Sequence, residues 1–337
     1  MIKLRDNADA INLWGLVLAA GDGKRLEQFI QQAIGNKIPK QYVNLVGRRS
    51  MLEHTFLRAE KLIPQNRILT IVSKHHLKYA EVRRQLWPRP KQSVVVQPAN
   101  RETGPGVLLP LMHIYKRSPE AVVAVFPSDH FIWEEDRFMD HVKLAAEKVG
   151  RDPARVILLA VEAQEPEVDY GYIVPRDDID HFDLYGVRRV SRFIEKPSAS
   201  VARSLVKAGG LWNTMTMVFK VFKVKTLLHL VKAVCPNTSQ HFNRVLEAIG
   251  TESESAIIDE VYRELEPLNF SKGILERIAV IFPEAISALP VLQVFWSDWG
   301  SPQRVMQVQE RLGLTRSCAL GSKRASGSVL AWQRQLA

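Results

Sequence analysis

Residues 14–26, with the sequence WGLVLAAGDGKRL, decide the fold of this chain. Residues 14–20 form an apolar run of the length that a buried parallel strand needs. The run ends in two glycines, Gly21 and Gly23, which allow positive φ angles and a close approach of the backbone to a ligand. Two cationic residues follow directly, the second being Arg25. A strand that ends in such a turn predicts a cradle for nucleotide phosphates.

Two other interpretations apply to the same stretch. It is also compatible with an ordinary strand-to-helix turn, because short glycine motifs recur without a ligand. A dinucleotide-binding fingerprint would need a third glycine where Leu26 stands, and this disfavours a dehydrogenase.

Strand-like and helix-like stretches alternate after this turn. Ser50 followed by Glu53 has the spacing of a capping box and predicts a helix over residues 50–62. We expect further helices at 75–86, 106–117 and 136–149, strands at 67–73, 93–97, 121–126 and 155–161, and a late strand at 289–296. This alternation predicts an α/β fold with a doubly wound, mostly parallel sheet that has helices on both faces. Ligands gather at the carboxyl ends of the strands in such sheets.

Composition narrows the class of protein. The chain has 337 residues, of which 46% are hydrophobic, and a formal net charge of +10. The charge favours anionic partners such as nucleotides or sugar phosphates, but the basic residues are scattered, which does not favour nucleic acid. There is no apolar run of membrane-spanning length and no signal-peptide core. The two cysteines, Cys235 and Cys318, form neither a metal motif nor a disulfide framework, so we expect a cytoplasmic protein without a membrane partner.

A family resemblance is carried by motifs that keep a fixed order along residues 14–314. The glycine turn is followed by PKQY, PSDH, FIEKP, LWN and WSDWG, at residues 39–42, 127–130, 193–197, 211–213 and 296–300. This pattern resembles the sugar-1-phosphate nucleotidyltransferases, most of all the mannose-1-phosphate guanylyltransferases. The resemblance implies a Rossmann-like nucleotide-diphospho-sugar transferase sheet with a smaller sugar-binding half. We therefore expect a lead-in at 1–13, a catalytic domain at 14–314 whose halves are 14–165 and 166–314, and a mobile tail at 315–337.

The reaction that the resemblance implies joins two anions, since the phosphate of a sugar 1-phosphate attacks the α-phosphorus of a nucleoside triphosphate. Charge neutralisation and positioning are then the main tasks of the protein. The resemblance assigns catalytic roles to Arg25, Lys40 and Asp129, and we expect both cationic side chains outside the core. It assigns Mg²⁺, an ion that prefers carboxylate oxygens, to Asp129 and Asp298. The alternatives are a helix cap for Asp129 and a turn residue for Asp298.

The remaining site residues are also implied by the resemblance. Contacts to the nucleotide are expected from Leu18, Ala19, Ala20, Gly21, Gly23, Arg25, Gln97, Asn100, Thr103 and Ser128. Contacts to the sugar phosphate are expected from Gly171, Tyr172, Glu195, Lys196 and Asn213.

The chain departs from the family pattern at two places. A glycine usually follows the WN pair, but Thr214 and Met215 stand there, and residues 269–276 lack the aspartate and tyrosine of the guanylyltransferase segment. The leading hypothesis is a Mg²⁺-dependent enzyme that uses GTP and mannose 1-phosphate. The alternatives are another base or sugar within the class, or a catalytically silent sensor of nucleotide sugars. A homo-oligomer is left open.

Overall fold

A computed structural model of the chain describes residues 11–176, 186–221 and 227–313. The expectations for most of the lead-in, for the 315–337 tail and for Cys318 lie outside these residues. The described strands, in chain order, are β1 (Leu13–Leu18), β2 (Ile68–Ser73), β3 (Val94–Gln97), β4 (Val122–Pro127), β5 (Phe131–Ile132), β6 (Val156–Glu162), β7 (Gly171–Pro175), β8 (Arg188–Glu195), β9 (Leu211–Lys220), β10 (Ile286–Pro290) and β11 (Trp296–Ser297).

The α-helices of the described residues fill most of the segments between these strands. In chain order they are α1 (Glu27–Ile34), α2 (Met51–Glu60), α3 (Ala80–Leu86), α4 (Thr103–Arg117), α5 (Glu135–Arg151), α6 (Ala199–Lys207), α7 (Leu227–Val234), α8 (Pro236–Ala248), α9 (Glu254–Glu264), α10 (Glu276–Ile281) and α11 (Pro302–Arg311). None of the described helices combines the length and apolar character required to cross a membrane. The predicted capping box at the start of α2 is confirmed, because Ser50 Oγ accepts from the Glu53 amide at 3.1 Å and Glu53 Oε2 accepts from the Ser50 amide at 2.7 Å.

Nine of the described strands form one sheet in the order β3-β2-β1-β4-β9-β6-β10-β8-β7. Neighbours from β3 to β4 are parallel. Strand β9 is antiparallel to both of its neighbours, β4 and β6, and β8 is antiparallel to both β10 and β7. The α/β fold and its predominantly one-directional sheet are therefore confirmed, with two reversed strands. The proposed division at residue 165 stays a prediction, although β9 lies between two strands of the first half.

Helices cover both faces of the sheet, and each face has its own apolar core. Side chains alternate along β1, so that Leu13 and Val17 belong to one core while Trp14 and Leu16 belong to the other. Helix α5 contributes to the first core and α4 to the second. Burial of strands on both faces explains their nearly continuous apolar sequence.

The predicted strand over residues 289–296 is wrong. Strand β10 ends at Pro290, which has no amide hydrogen to continue a ladder, and Gln293 has a φ of 55°. The chain then re-enters β structure as β11, which pairs with β5 in a separate two-stranded sheet. This small sheet places the segment after β4 beside the segment after β11, and each segment carries one of the predicted site aspartates.

Candidate active site

The glycine turn and the PKQY motif form one structural unit. The Gln41 side-chain amide donates to the carbonyl oxygens of Ala19 and Gly21, at 2.9 and 2.7 Å. The Tyr42 hydroxyl donates to the same Ala19 oxygen at 2.7 Å. Gly23 has a φ of 63°, in the left-handed region that favours glycine. The PKQY motif thus fixes the backbone shape of the glycine turn through these hydrogen bonds.

The long segment between the two motifs is accommodated by a helix. Residues 27–34 form α1, which ends at Gly35 with a φ of 74°. The chain then returns so closely that a Cβ on Gly23 would lie 3.1 Å from the Lys40 backbone nitrogen. Residues 27–38 therefore return Lys40 to the turn.

Lys40 is buried, with 6% of the residue exposed. Its ammonium donates to the backbone carbonyls of Asp298 and Trp299 at 2.7 and 3.1 Å, and lies 3.1 Å from Asp129 Oδ2. The expectation that Lys40 lies outside the core is wrong, because three protein oxygens replace the water that a buried ammonium needs. The side chain links both aspartate-bearing segments.

Asp129 follows β4 and has about a third of its side chain exposed. Burial opposes its ionisation, but Lys40 and His130 outweigh this effect, and the pKa of the carboxyl is lowered. The indole N–H of Trp296 donates to His130 Nδ1 at 3.3 Å, so neutral His130 carries its proton on Nε2, which lies 3.6 Å from Asp129 Oδ1. Burial is the main cause of the lowered pKa of His130.

Asp298 is nearly buried and its carboxylate has several donors. Oδ1 accepts from the Tyr170 hydroxyl at 3.0 Å, from the Gly300 amide at 2.9 Å and from Arg304 Nη1 at 3.1 Å. Burial raises the pKa of this carboxyl, but Lys40, His130 and Arg304 together lower it below its usual range. A Cβ on Gly300 would lie 2.3 Å from Asp298 Oδ2, so this tight arrangement requires glycine.

Lys40, Asp129 and Asp298 form one corner of the site. Arg25 is half exposed and lies at the surface of this corner. Its guanidinium is 3.3 Å from Asp169 Oδ2 and 3.6 Å from Asp298 Oδ2. The three predicted catalytic residues therefore lie around one point, where Arg25 contacts the carboxylate of Asp298, and Lys40 contacts the carboxylate of Asp129 and the backbone of Asp298.

The two aspartates offer oxygen ligands of the kind that Mg²⁺ prefers, so their chemistry fits this ion. Each carboxylate is already next to a protein cation, Lys40 for Asp129 and Arg304 for Asp298. Two unpaired carboxylates would repel each other and favour a bound metal ion. Here the protein's own cations already relieve this repulsion. Mg²⁺ remains a prediction that rests on the donor atoms.

The predicted nucleotide-binding residues lie on the rim formed by the ends of β1, β3 and β4. Gln97 is buried at the end of β3, and its Oε1 accepts from the Tyr262 hydroxyl at 3.4 Å. Asn100 donates to Asp22 Oδ2 at 3.2 Å. Thr103 Oγ1 accepts from the Phe270 amide at 2.8 Å, and the buried Ser128 donates to the Leu18 carbonyl at 2.6 Å. Leu18, Ala19 and Ala20 lead directly into the turn.

The predicted sugar residues divide into two groups. A Cβ on Gly171 would lie 2.6 Å from Glu195 Oε2 and 3.5 Å from Asn213 Cβ, so these three residues are neighbours. Lys196 lies beside them, with its ammonium 2.9 Å from Glu195 Oε1. The Tyr172 side chain is instead fully buried and its hydroxyl donates to the Glu167 carbonyl at 2.8 Å, which leaves only the backbone of Tyr172 for a ligand.

Four residues of this region have the left-handed backbone that side chains rarely adopt. Their φ angles are 67° at Glu102, 50° at Lys196, 57° at Met215 and 45° at Trp299. Three of them adjoin a predicted ligand residue and Met215 lies two residues after one, Asn213. Such conformations concentrate at functional sites. Met215 is informative, because it has the conformation of a glycine at the place where the family usually has one.

Sequence reasoning missed two residues of the corner. Tyr170 is not among the predicted site residues, yet its hydroxyl donates to Asp298 Oδ1 at 3.0 Å. Arg304 lies on the polar helix α11, stacks over the Tyr170 ring at 4.4 Å, and pairs with Glu167 and Asp298. Nothing in the local sequence of α11 distinguishes this arginine from surface arginines.

Two known proteins show what the sequence of this chain resembles. The chain is 25% identical over 301 residues to the xanthan biosynthesis protein XanB of Xanthomonas campestris pv. campestris, covering 88% of this chain and 60% of XanB. It is 23% identical over 322 residues to a mannose-1-phosphate guanylyltransferase of Escherichia coli, covering 94% and 63%. The chain thus spans about 60% of the length of these relatives.

Solved structures agree on the fold. A crystal structure from Thermus thermophilus, described as a mannose-1-phosphate geranyltransferase, superposes with a TM-score of 0.69 at 23% identity and covers 86% of this chain and 76% of that one. The sequence model of the nucleotidyl transferase family matches residues 14–313, nearly all of the described chain, and the chain therefore belongs to this family.

Proposed function

We propose that the protein transfers a nucleotidyl group from a nucleoside triphosphate to a sugar 1-phosphate, giving a nucleotide sugar and pyrophosphate. The observation that carries the proposal is the meeting of Arg25, Lys40, Asp129 and Asp298 beside the glycine turn. Family membership supports the nucleotidyl group as the unit transferred. The glycine, glutamate and asparagine cluster around Gly171 supports a polar ligand such as a sugar.

The proposed reaction needs no protein nucleophile. A phosphate oxygen of the sugar 1-phosphate forms a bond to the α-phosphorus of the triphosphate, while the bond from that phosphorus to the pyrophosphate oxygen breaks and pyrophosphate leaves. Negative charge builds on the α-phosphate, and the half-exposed Arg25 is available to neutralise it. Lys40 joins the two segments that carry Asp129 and Asp298, and its buried positive charge lies beside the proposed phosphate site. Mg²⁺, held by Asp129 and Asp298, would neutralise further phosphate charge when bound.

GTP and mannose 1-phosphate are the substrates that we infer within this class. The support is the identity of about 24% to proteins named mannose-1-phosphate guanylyltransferase. We retain cytoplasmic placement and a homo-oligomer only as predictions.

A catalytically silent nucleotide-sugar-binding protein is the second candidate. Met215 stands where the family usually has glycine, and its sulfur accepts from Ser271 at 3.0 Å and faces the Asn213 amide at 3.5 Å. The Met215 thioether therefore occupies space beside Asn213, one of the residues proposed to bind the sugar.

A substrate matrix tests both candidates. Pyrophosphate release is measured for five nucleoside triphosphates against several hexose 1-phosphates with Mg²⁺, and binding of the product nucleotide sugars is measured in parallel. We expect GTP with mannose 1-phosphate to turn over fastest. Faster turnover of another pair would overturn the base or sugar assignment and keep the class. Tight binding of a nucleotide sugar without pyrophosphate release for any pair would establish the silent candidate.

A further inference from the structure

Asp22, in the middle of the glycine turn, lies against two consecutive histidines. His75 and His76 follow β2 in a short 3₁₀ turn. Their Nε2 atoms are 3.0 and 3.2 Å from the same oxygen, Asp22 Oδ1. His76 is fully buried, whereas about half of the His75 side chain is exposed. These three side chains have no role in the proposed reaction.

The spacing of the three atoms fits a metal ion. The two Nε2 atoms and the carboxylate oxygen all lie within 4.8 Å of one another. Ligands at ~2.0–2.2 Å from a tetrahedral Zn²⁺ lie about 3.3–3.5 Å apart, close to the two distances found here. Two imidazoles and one carboxylate are the ligand set of Zn²⁺ sites that keep a fourth position open.

Both histidines are oriented by a hydroxyl group on the other ring nitrogen. His76 Nδ1 lies 3.2 Å from the Tyr42 oxygen, and His75 Nδ1 lies 2.8 Å from Ser73 Oγ. Histidine ligands of metals are held in this way by a second hydrogen bond, which fixes the tautomer and the ring orientation.

The hydrogen bonds of Tyr42 indicate which ring nitrogen of His76 is available to bind a metal ion. Tyr42 donates its proton to the Ala19 carbonyl, so its oxygen can only accept from His76 Nδ1, which therefore carries a hydrogen. A neutral ring with hydrogen on Nδ1 directs the lone pair of Nε2 at a carboxylate oxygen 3.2 Å away. A metal ion between these two atoms would bind both lone pairs, just as a proton on Nε2 would join them in an ion pair.

We propose that Asp22, His75 and His76 form a binding site for a divalent transition-metal ion, with Zn²⁺ as the ion that the ligand set favours. The ion would join the glycine turn to the end of β2. Because Asp22 also accepts from Asn100, the same ion would hold the segment that follows β3. The site is separate from the corner formed by Asp129 and Asp298, and the proposal does not depend on the nucleotide or sugar used.

Direct metal binding tests the proposal with the full chain. Zn²⁺ binding is measured by calorimetry, and Co²⁺ is used as a visible-absorbance probe of its surroundings. We expect one tight equivalent of Zn²⁺, retained in the presence of millimolar Mg²⁺. The affinity should fall at least 100-fold in Asp22→Asn and in His75→Gln, and roughly 10–100-fold in Tyr42→Phe, which removes the orienting hydroxyl.

The matched control is His229→Gln, because His229 is an exposed histidine on α7. It should bind Zn²⁺ like the unchanged chain. His75→Gln is the main test variant, since its half-exposed side chain can be replaced without opening a cavity, and circular dichroism checks its fold. Failure of the unchanged chain to bind Zn²⁺ at millimolar concentration would overturn the site and leave a hydrogen-bonded cluster. Equal affinity in His75→Gln, or displacement of Zn²⁺ by Mg²⁺, would place the ion elsewhere and also overturn it.

Discussion

Arg25 and Lys40 carry the same charge at the same corner but differ in what surrounds them. Arg25 is half exposed and its two carboxylate partners lie beyond 3.2 Å, so solvent shares in its stabilisation. Lys40 is buried against three protein oxygens. A change at Arg25 should therefore affect chemistry alone, while a change at Lys40 should affect both chemistry and folding.

Arg25→Ala should reduce pyrophosphate release by about 10²–10³-fold, the effect of losing one preorganised donor. The thermal midpoint should change little, because the exposed pairs contribute little to stability. Steady-state assays with saturating substrates measure the first effect and a thermal melt the second. Lys24→Ala is the matched control, since Lys24 is the neighbouring exposed cation. Equal activity of the two variants would remove Arg25 from the mechanism.

Lys40→Met should lower both activity and stability. The thioether keeps the length of the apolar stem but leaves the carbonyls of Asp298 and Trp299 without their donor, at a cost of about 1–3 kcal/mol for each buried group. Urea unfolding with Arg25→Ala as the reference measures the difference. A Lys40→Met protein as stable as Arg25→Ala would show that water or a neighbouring donor replaces the ammonium.

At the scale of elements, the two glycines of the glycine turn, Gly21 and Gly23, differ in whether the fold itself requires glycine. Gly23 needs it for conformation, because its φ is positive and a Cβ would crowd the Lys40 nitrogen. Gly21 has an ordinary φ and no atom within 4 Å of a Cβ position, so the protein itself does not require glycine there. A requirement at Gly21 would have to come from a ligand.

Gly23→Ala should therefore destabilise the protein by about 1–2 kcal/mol through left-handed strain. Gly21→Ala should unfold at the same urea concentration as the unchanged chain, yet lose at least tenfold in turnover with a raised KM for the nucleoside triphosphate. Full activity in Gly21→Ala would mean that the nucleotide backbone does not approach this residue.

The helices and strands that the sequence could predict are those whose pattern lies within their own residues. The alternation of apolar and polar stretches indicated β1 to β4, β6 and α2 to α5, and the Ser50–Glu53 spacing indicated the start of α2. Apolar character alone could not reveal the break after Pro290, whose cause is the missing amide hydrogen of proline. The pairing of β11 with β5 depends on residues distant in sequence. The same limit applies to the site, where motif order indicated Asp298 but nothing local indicated Arg304.

At the scale of the whole molecule, a buried and a half-buried histidine make stability depend on pH. His54 and His113 lie outside the candidate site, and burial lowers the pKa of both below the usual value of about 6.5. The unfolded chain therefore binds more protons than the folded one as pH falls below that value. Their contribution to stability is present above about pH 6.5 and is lost as pH falls toward their folded-state pKa values.

The free energy of unfolding should accordingly rise between pH 5 and pH 7. Urea titrations across this range measure the slope, which reports the difference in bound protons. His113→Gln should reduce the slope, whereas His229→Gln, at an exposed histidine of α7, should leave it unchanged. An identical slope in His113→Gln would show that His113 titrates alike in the folded and unfolded chains.

The position of β9 bears on how the protein is made. The ribosome delivers β4 and β6 first, yet neither can complete its pairing until β9, which separates them in the sheet, arrives about 50 residues after β6 and about 85 residues after β4. At ~5–20 residues per second, the edge of β6 that faces β9 stays unpaired in the nascent chain for about 3–10 s, and that of β4 for about 4–17 s. The missing strand carries Met217, Val218 and Phe219, all fully buried in the finished fold. During those seconds the growing chain exposes two open edges of apolar sheet, the kind of surface at which chains aggregate and chaperones bind.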